Sequence, residues 1–279
     1  MAEQRYPDFL IIGAAKAATT WLQCCLQMQP TVFMPDPELH YFSREYQRGP
    51  AWYCASFEGA PDGTLLGEKS NSYFKQPEAM ARIKADLPQV KLLLQLRNPI
   101  DRAYSDYCML YRRGEVDHRI RHHFEPGNAF AKRFLEGGQY REHLDHIDAL
   151  FPAEQILLLI YDDLVHCPND HLAKVKTFLC LPELTPIERR AKDKTQATVP
   201  PTMRKLAQGL KPALAPYRDQ GWFGYARKFV AKELIYPSLP DDLYVRLRDH
   251  FAHDIEALAK RLNRDLSSWL GDPANAGGG

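Results

Sequence analysis

Residues 9–22 place the tightest limit on what this chain can fold into. Phe9, Leu10, Ile11 and Ile12 form a short apolar run of the kind that makes a parallel strand buried on both faces. Gly13, Ala14 and Ala15 follow, small enough to let backbone come close to a ligand. Then come Lys16, Ala17, Ala18, Thr19 and Thr20, and a helical run over residues 21–28 with Pro30 just beyond it. Strand, tight turn and helix start together make an anion site, because free N–H groups and the helix dipole both favour negative charge. The threonine hydroxyls and the Lys16 ammonium would complete the cradle. The same residues read equally well as a buried strand entering a core helix with a lysine at the surface. An ATP-type P-loop is a poor fit: it needs Gly-Lys-Ser/Thr after a longer glycine-rich loop, and here two alanines separate Lys16 from Thr19.

A second stretch decides between these readings. Residues 91–96 are another buried-type strand, ending at Arg97 and followed by Asn98 and Pro99, which blocks its extension. Asp101 is expected to open the helix that carries Arg102 and Ser105. Arg97 can present a planar, permanently charged fork to a phosphate, and Ser105 can add a hydroxyl one turn into the helix. A strand–helix corner with surface arginines accounts for any one of these features alone. The complete run, Arg97-Asn98-Pro99-Ile100-Asp101-Arg102-Ala103-Tyr104-Ser105, resembles the 3′-phosphate motif of the sulfotransferases, and residues 13–22 resemble their 5′-phosphosulfate loop. The resemblance implies that the chain holds 3′-phosphoadenosine 5′-phosphosulfate (PAPS). Ala15, Lys16, Ala17, Ala18, Thr19, Thr20 and Trp21 would lie around its phosphosulfate, and Arg97 and Ser105 around its 3′-phosphate. Ala18 departs from the family, whose usual residue there is glycine.

Two further segments gain meaning from that likeness. If residues 38–42 are extended, Glu38, His40 and Phe42 share one face, and a carboxylate beside an imidazole is a proton-handling pair. An exposed edge strand with two polar side chains is the plain alternative. The segment resembles the Glu-x-His motif of heparan-sulfate 3-O- and N-sulfotransferases, whose glutamate is the general base; Glu38 matches it, with Pro37 where many relatives have lysine. Residues 64–67 read as a short strand leading into Glu68, Lys69, Ser70, Asn71, Ser72, Tyr73 and Phe74. The likeness places Lys69 beside the transferring sulfonate, with His40 helping to hold the acceptor. It also puts Tyr140 at the nucleotide or acceptor, and leaves Lys232 as the one survivor of a Lys-Gly-Arg loop.

The balance of 36 basic and 35 acidic residues, net charge +1, gives no electrostatic case for nucleic acid, an anionic membrane or a long polyanion. No apolar run approaches a membrane span, and residues 1–7 show no signal-peptide core. The six cysteines lack metal-ligand spacing and read as reduced thiols, so no metal is expected. A charged segment with His118, Arg119, Arg121, His122 and His123 reads as a solvated helix and loop rather than a metal cluster or a rim for an anionic acceptor. A helix ending near Phe151, a strand over residues 155–164 and a helix over 171–181 follow, with Asp162 and Asp163 as structural carboxylates. Leu243, Leu247, Phe251, Ile255, Leu258 and Leu262 mark a closing amphipathic helix opened by Asp241 and Asp242.

The expected fold is α/β, a three-layer parallel sheet flanked by helices. The resemblance makes it the P-loop-containing nucleotide hydrolase-like (sulfotransferase) fold. Residues 1–270 would form one domain, with residues 189–236 covering cofactor and acceptor and residues 271–279 a disordered tail. The implied activity is sulfuryl transfer from PAPS to a hydroxyl of a small-molecule or carbohydrate acceptor, in a monomer or homodimer in a bacterial cytoplasm. An amine acceptor, a nucleotide-dependent kinase and a binding protein on an inactive fold are the alternatives.

Overall fold

The computed structural model of the chain describes residues 5–187 and 235–271. Most of the expected covering segment 189–236, with Lys232, and the tail beyond Gly271 lie outside the described residues. Within them, the strands β1 (Phe9–Gly13), β2 (Val32–Phe33), β3 (Leu65–Lys69), β4 (Lys91–Leu96) and β5 (Ile156–Ile160) form one sheet in the order β2-β3-β1-β4-β5. Every pairing is parallel. The two-residue β2 hides in the proline-punctuated stretch after residue 30, too short to leave a periodic signal.

Alternation along the central strands builds the three layers. Leu10 and Ile12 of β1, with Leu92, Leu94 and Leu96 of β4, face one core; Phe9, Ile11 and Leu93 face the other. The first core is closed by α3 (Pro77–Asp86), α4 (Pro99–Arg113), α7 (Tyr140–Leu150) and the closing helix Asp241–Leu262. The second is closed by α1 (Thr19–Gln27) and α9 (Pro168–Leu179). Between them in the chain lie the shorter helices α2 (Gly49–Ala55), α5 (Ile120–His123), α6 (Ala131–Glu136) and α8 (Tyr161–His166). The closing helix buries Leu243, Leu247, Phe251, Ile255 and Leu258 as its spacing requires, each contributing roughly 1.5–3 kcal/mol before entropy is counted.

Three local expectations need correction. Residues 38–42 are not a strand: His40 takes a left-handed conformation (φ 52°) and starts a π-helical turn over Tyr41–Glu45. Its carbonyl accepts from the backbone N–H groups of Ser43, Arg44 and Glu45. Helix α4 is capped by Asn98 rather than Asp101, because the Asn98 side chain accepts from the Ile100 N–H at 2.9 Å and Pro99 needs no donor at the first helical position. The fifth strand stops at Ile160, and Tyr161–His166 is already helix, with both aspartates in its first turn, where the dipole favours them. Asp162 accepts from the Trp269 indole at 2.5 Å, and Asp163 pairs with Lys174 and Arg264, so both carboxylates fasten chain segments together.

Because the chain leaves β1 for one side of the sheet and reaches β4 on the other, the carboxyl ends of β1, β3 and β4 lie side by side. That crevice is where open α/β sheets take their ligands.

Candidate active site

The loop leaving β1 is shaped by backbone in an unusual region. Lys16 (φ 73°) and Ala18 (φ 61°) are both left-handed, and Ala18 stands directly before α1 with no side-chain cap. Its carbonyl accepts from Trp21 and Leu22, and the first N–H groups of α1 are those a helix leaves unpaired. Gly13 is required by space: a Cβ there would stand 2.9 Å from that of Phe74. An alanine held left-handed costs about 1–2 kcal/mol. Ala18→Gly is therefore expected to raise stability by about 0.5–1 kcal/mol once glycine's extra unfolded-state freedom is subtracted. Denaturant unfolding measures this, and a loss of stability would show that the loop carries no strain at Ala18.

Gln95 fixes this loop from below. It is fully buried in β4 on the face covered by α1 and α9. Its Nε2 donates to the Ala17 carbonyl, and its Oε1 accepts from His171 Nε2 of α9 at 2.9 Å. Burial pulls the His171 imidazole down to about 4, which keeps it a neutral single donor at neutral pH. Gln95→Leu would leave the Ala17 carbonyl and the His171 N–H unsatisfied. It is expected to cost about 2–4 kcal/mol and to loosen the loop; a Gln95→Leu protein as stable as the parent in denaturant titrations would contradict this.

Glu38 and His40 meet although their backbone is not extended. The left-handed turn brings His40 Nε2 to 3.6 Å from Glu38 Oε2. Lys69 Nζ lies 3.1 Å from Glu38 Oε1, while Asn71 donates to the same carboxylate from its backbone N (3.2 Å) and its side-chain Nδ2 (2.9 Å). Lys69 also reaches Thr20 Oγ1 at 3.2 Å, and Thr19 Oγ1 donates to Asn71 Oδ1 at 2.8 Å. The base candidate and the start of α1 are thereby tied through Lys69 and Asn71. The Lys69 side chain is 5% exposed and that of Glu38 is 26% exposed, so the lysine is shut from water while the carboxylate keeps an open side. Burial, with Arg44 acting in the same direction, lowers the His40 imidazole below its ordinary value against the pull of Glu38. His40 Nδ1 is hydrogen-bonded to Ser72 Oγ at 2.8 Å, and Ser72 in turn to Ser43 Oγ at 2.7 Å.

Arg97 stands at the end of β4, one strand from the loop, whose Ala14 N–H donates to the Gln95 carbonyl at 2.8 Å. Its guanidinium lies 4.7 Å over the Tyr161 ring and makes a long 3.5 Å contact with Asp101. Arg97 Nε is buried with no hydrogen-bond partner among the described residues. Ser105 is half-buried one turn beyond Asp101 on α4. Tyr140 is fully buried, and its hydroxyl donates to the Arg97 carbonyl at 2.7 Å, so it props the arginine's backbone from behind. Of the other loop residues, Ala17 and Thr19 are buried, Ala15, Lys16 and Trp21 half-buried and Thr20 exposed. The histidine-bearing segment turns to acidic neighbours: Arg121 pairs with Asp242, His122 with Glu125, and His123 with Asp117. Sequence reasoning missed Asn71, Gln95 and Tyr161. Gln95 alone carried a readable signal, a polar residue inside an otherwise apolar buried strand.

Human heparan sulfate glucosamine 3-O-sulfotransferase 6 is 36% identical over 183 residues, covering 64% of this chain and 53% of that protein. The Caenorhabditis elegans bifunctional heparan sulfate N-deacetylase/N-sulfotransferase 1 is 26% identical over 285 residues, covering 95% of this chain and 31% of that protein. The chain thus spans about half or less of the length of these curated relatives, which are animal proteins and give the expected bacterial source no support. A sulfotransferase structure from Alicyclobacillus acidocaldarius shares the fold with a TM-score of 0.70 at 22% identity, covering 95% of this chain and 99% of that one. The sulfotransferase domain family model matches residues 6–212, and the chain belongs to the sulfotransferase family.

Proposed function

We propose that the chain transfers a sulfuryl group from PAPS to a hydroxyl of a small-molecule or carbohydrate acceptor, with Glu38 as general base. The observation that carries this reading is the Glu38 carboxylate held 3.1 Å from Lys69, which itself reaches Thr20 at the start of α1. One lysine joins a proton acceptor to a helix N-terminus suited to anions. Arg97 supports the donor's identity, since a half-buried guanidinium with an unpartnered Nε suits a second phosphate.

PAPS supplies an activated sulfuryl group on a 5′-phosphate leaving group. Lys16 and the N–H groups opening α1 neutralise the phosphate side, with the Thr19 and Thr20 hydroxyls beside them. Glu38 takes the proton from the acceptor oxygen as that oxygen bonds to sulfur and the bond to the 5′-phosphate breaks. Lys69 stands between the Glu38 carboxylate and the loop, placed to meet the charge of the transferring group. His40, neutral at neutral pH, orients Glu38 and the acceptor. Arg97 and Ser105 hold the 3′-phosphate, with the Arg97 backbone propped by Tyr140. No helix among the described residues is long and apolar enough to cross a membrane.

The N-sulfotransferase relative keeps an amine acceptor as the second reading, because the same carboxylate serves either nucleophile. A screen of hydroxyl- and amine-bearing acceptors with radiolabelled PAPS, without magnesium, tests both. Label on a hydroxyl supports the first reading, label only on amines the second, and none on any acceptor contradicts both.

A further inference from the structure

Glu68 is a fully buried carboxyl on β3 that the transfer chemistry does not use. Its oxygens are occupied from two sides: Ser70 Oγ donates to Oε1, and the Tyr53 hydroxyl of α2 donates to Oε2 at 3.2 Å. With its proton committed to Glu68, the Ser70 hydroxyl turns a lone pair to the His40 backbone N–H at 2.8 Å. The Tyr73 hydroxyl, also against Glu68, accepts from the Phe42 N–H at 3.4 Å. The backbone gripped in this way is the left-handed His40 and the turn it starts, a conformation that persists only where its surroundings over-determine it. Glu38 lies two residues upstream, so its aim depends on the same turn.

A fully buried carboxyl is costly, and this one meets the hydroxyl of Tyr53, whose ring stacks on that of Tyr41 at 4.3 Å and packs against that of Phe42. The donors explain its presence. Ser70 and Tyr53 both arrive with a hydrogen, and an ionised carboxylate accepts on both oxygens while adding none of its own. We propose that Glu68 is a positioning residue for the Glu38–His40 pair, its carboxylate orienting the Ser70 hydroxyl so that the left-handed turn holds the pair against Lys69. Its kinetic consequence rests on the sulfuryl-transfer reading; the placing of His40 does not.

The groups facing Glu68 are the Tyr53 hydroxyl from α2, the Ser70 and Tyr73 hydroxyls from the segment after β3, and the Glu38 carboxylate. Burial pushes Glu68 up to about 7 against the pull of those hydroxyls, with the Glu38 charge adding to the rise. The carboxylate, and the positioning, are therefore present above about pH 7 and lost as pH falls through it. Stability runs the other way. The folded value lies above the ordinary 4.5, so the contribution to stability is full below 4.5 and lost as pH rises to about 7.

The test follows the His40 ring signals by NMR across neutral pH, assigned with a His40→Gln protein, alongside turnover. The parent should show a step near pH 7 beyond the imidazole's own titration, and Glu68→Gln should lose it. Glu68→Gln should also lower kcat by about 10- to 100-fold with the KM for PAPS unchanged, since small misplacements near the chemistry cost this much. Ser70→Ala should reproduce both effects, and the double variant should be no worse than either, as expected of residues acting in series. If Glu68→Gln fails to fold, Ser70→Ala decides by the same readouts. A step that survives, a wild-type kcat in both variants, or a loss of 3′,5′-adenosine bisphosphate binding in proportion to kcat would overturn the proposal. If the parent transfers to no acceptor yet its step vanishes in Glu68→Gln, the positioning stands and the sulfuryl-transfer reading falls.

Discussion

Lys16→Ala is expected to reduce sulfuryl transfer by at least about 10²–10³-fold, below detection in an ordinary assay, with the fold unchanged. Lys16 sits at φ 73° in the loop between β1 and α1, beside the helix end whose free N–H groups favour negative charge. The departing 5′-phosphate gains charge as the bond to sulfur breaks, so a fixed cation there acts most strongly at the transition state. The fold should tolerate the change because alanine and lysine pay the same backbone cost at that φ. Circular dichroism and the denaturation midpoint should match the parent. Turnover within a few-fold of the parent would remove Lys16 from the mechanism.

Glu38→Gln carries the second large effect. The amide keeps the shape of the carboxylate and an oxygen for Lys69 and Asn71 Nδ2, both of which now point to Oε1. It cannot take a proton, and losing a positioned base typically costs about 10²–10⁴-fold in turnover. Affinity for 3′,5′-adenosine bisphosphate should be unaltered, because the cation and dipole assigned to its phosphates lie on the β1 loop and β4 rather than on Glu38. Calorimetry beside single-turnover kinetics separates the two outcomes. Lost nucleotide binding with intact chemistry would contradict the assignment of the base.

The sheet was legible because its strands are near-continuous apolar runs closed by small residues or proline: residues 9–12, and 91–96 before Pro99. The closing helix was legible from its spacing, and its stripe is the face the structure buries. Residues 38–42 misled, since alternating polar and apolar side chains suit a strand and nothing local announces that His40 will take a positive φ. Its backbone N–H is bonded to Ser70, just after β3 and thirty residues away in sequence. The candidate residues Lys16, Glu38, His40, Lys69 and Arg97 were reached from motifs. Their supports were not: Gln95, Asn71 and Tyr161 act through contacts between segments distant in the chain, which spacing does not encode. Tyr140 was reached from its motif, but its bond to the Arg97 carbonyl was not, because that contact joins residues 43 apart in the chain.

The proposed function requires one doubly phosphorylated nucleotide to be gripped at both ends by neighbouring strands. Titrating 3′,5′-adenosine bisphosphate by calorimetry, without magnesium, into the parent, Lys16→Ala and Arg97→Ala proteins tests this most directly. The expected result is saturable binding by the parent at one nucleotide per chain, weakened by either substitution, with adenosine 5′-monophosphate bound less tightly by the parent and no further weakened by Arg97→Ala. Binding that ignores Arg97, or a parent that binds only ATP with magnesium, would contradict it.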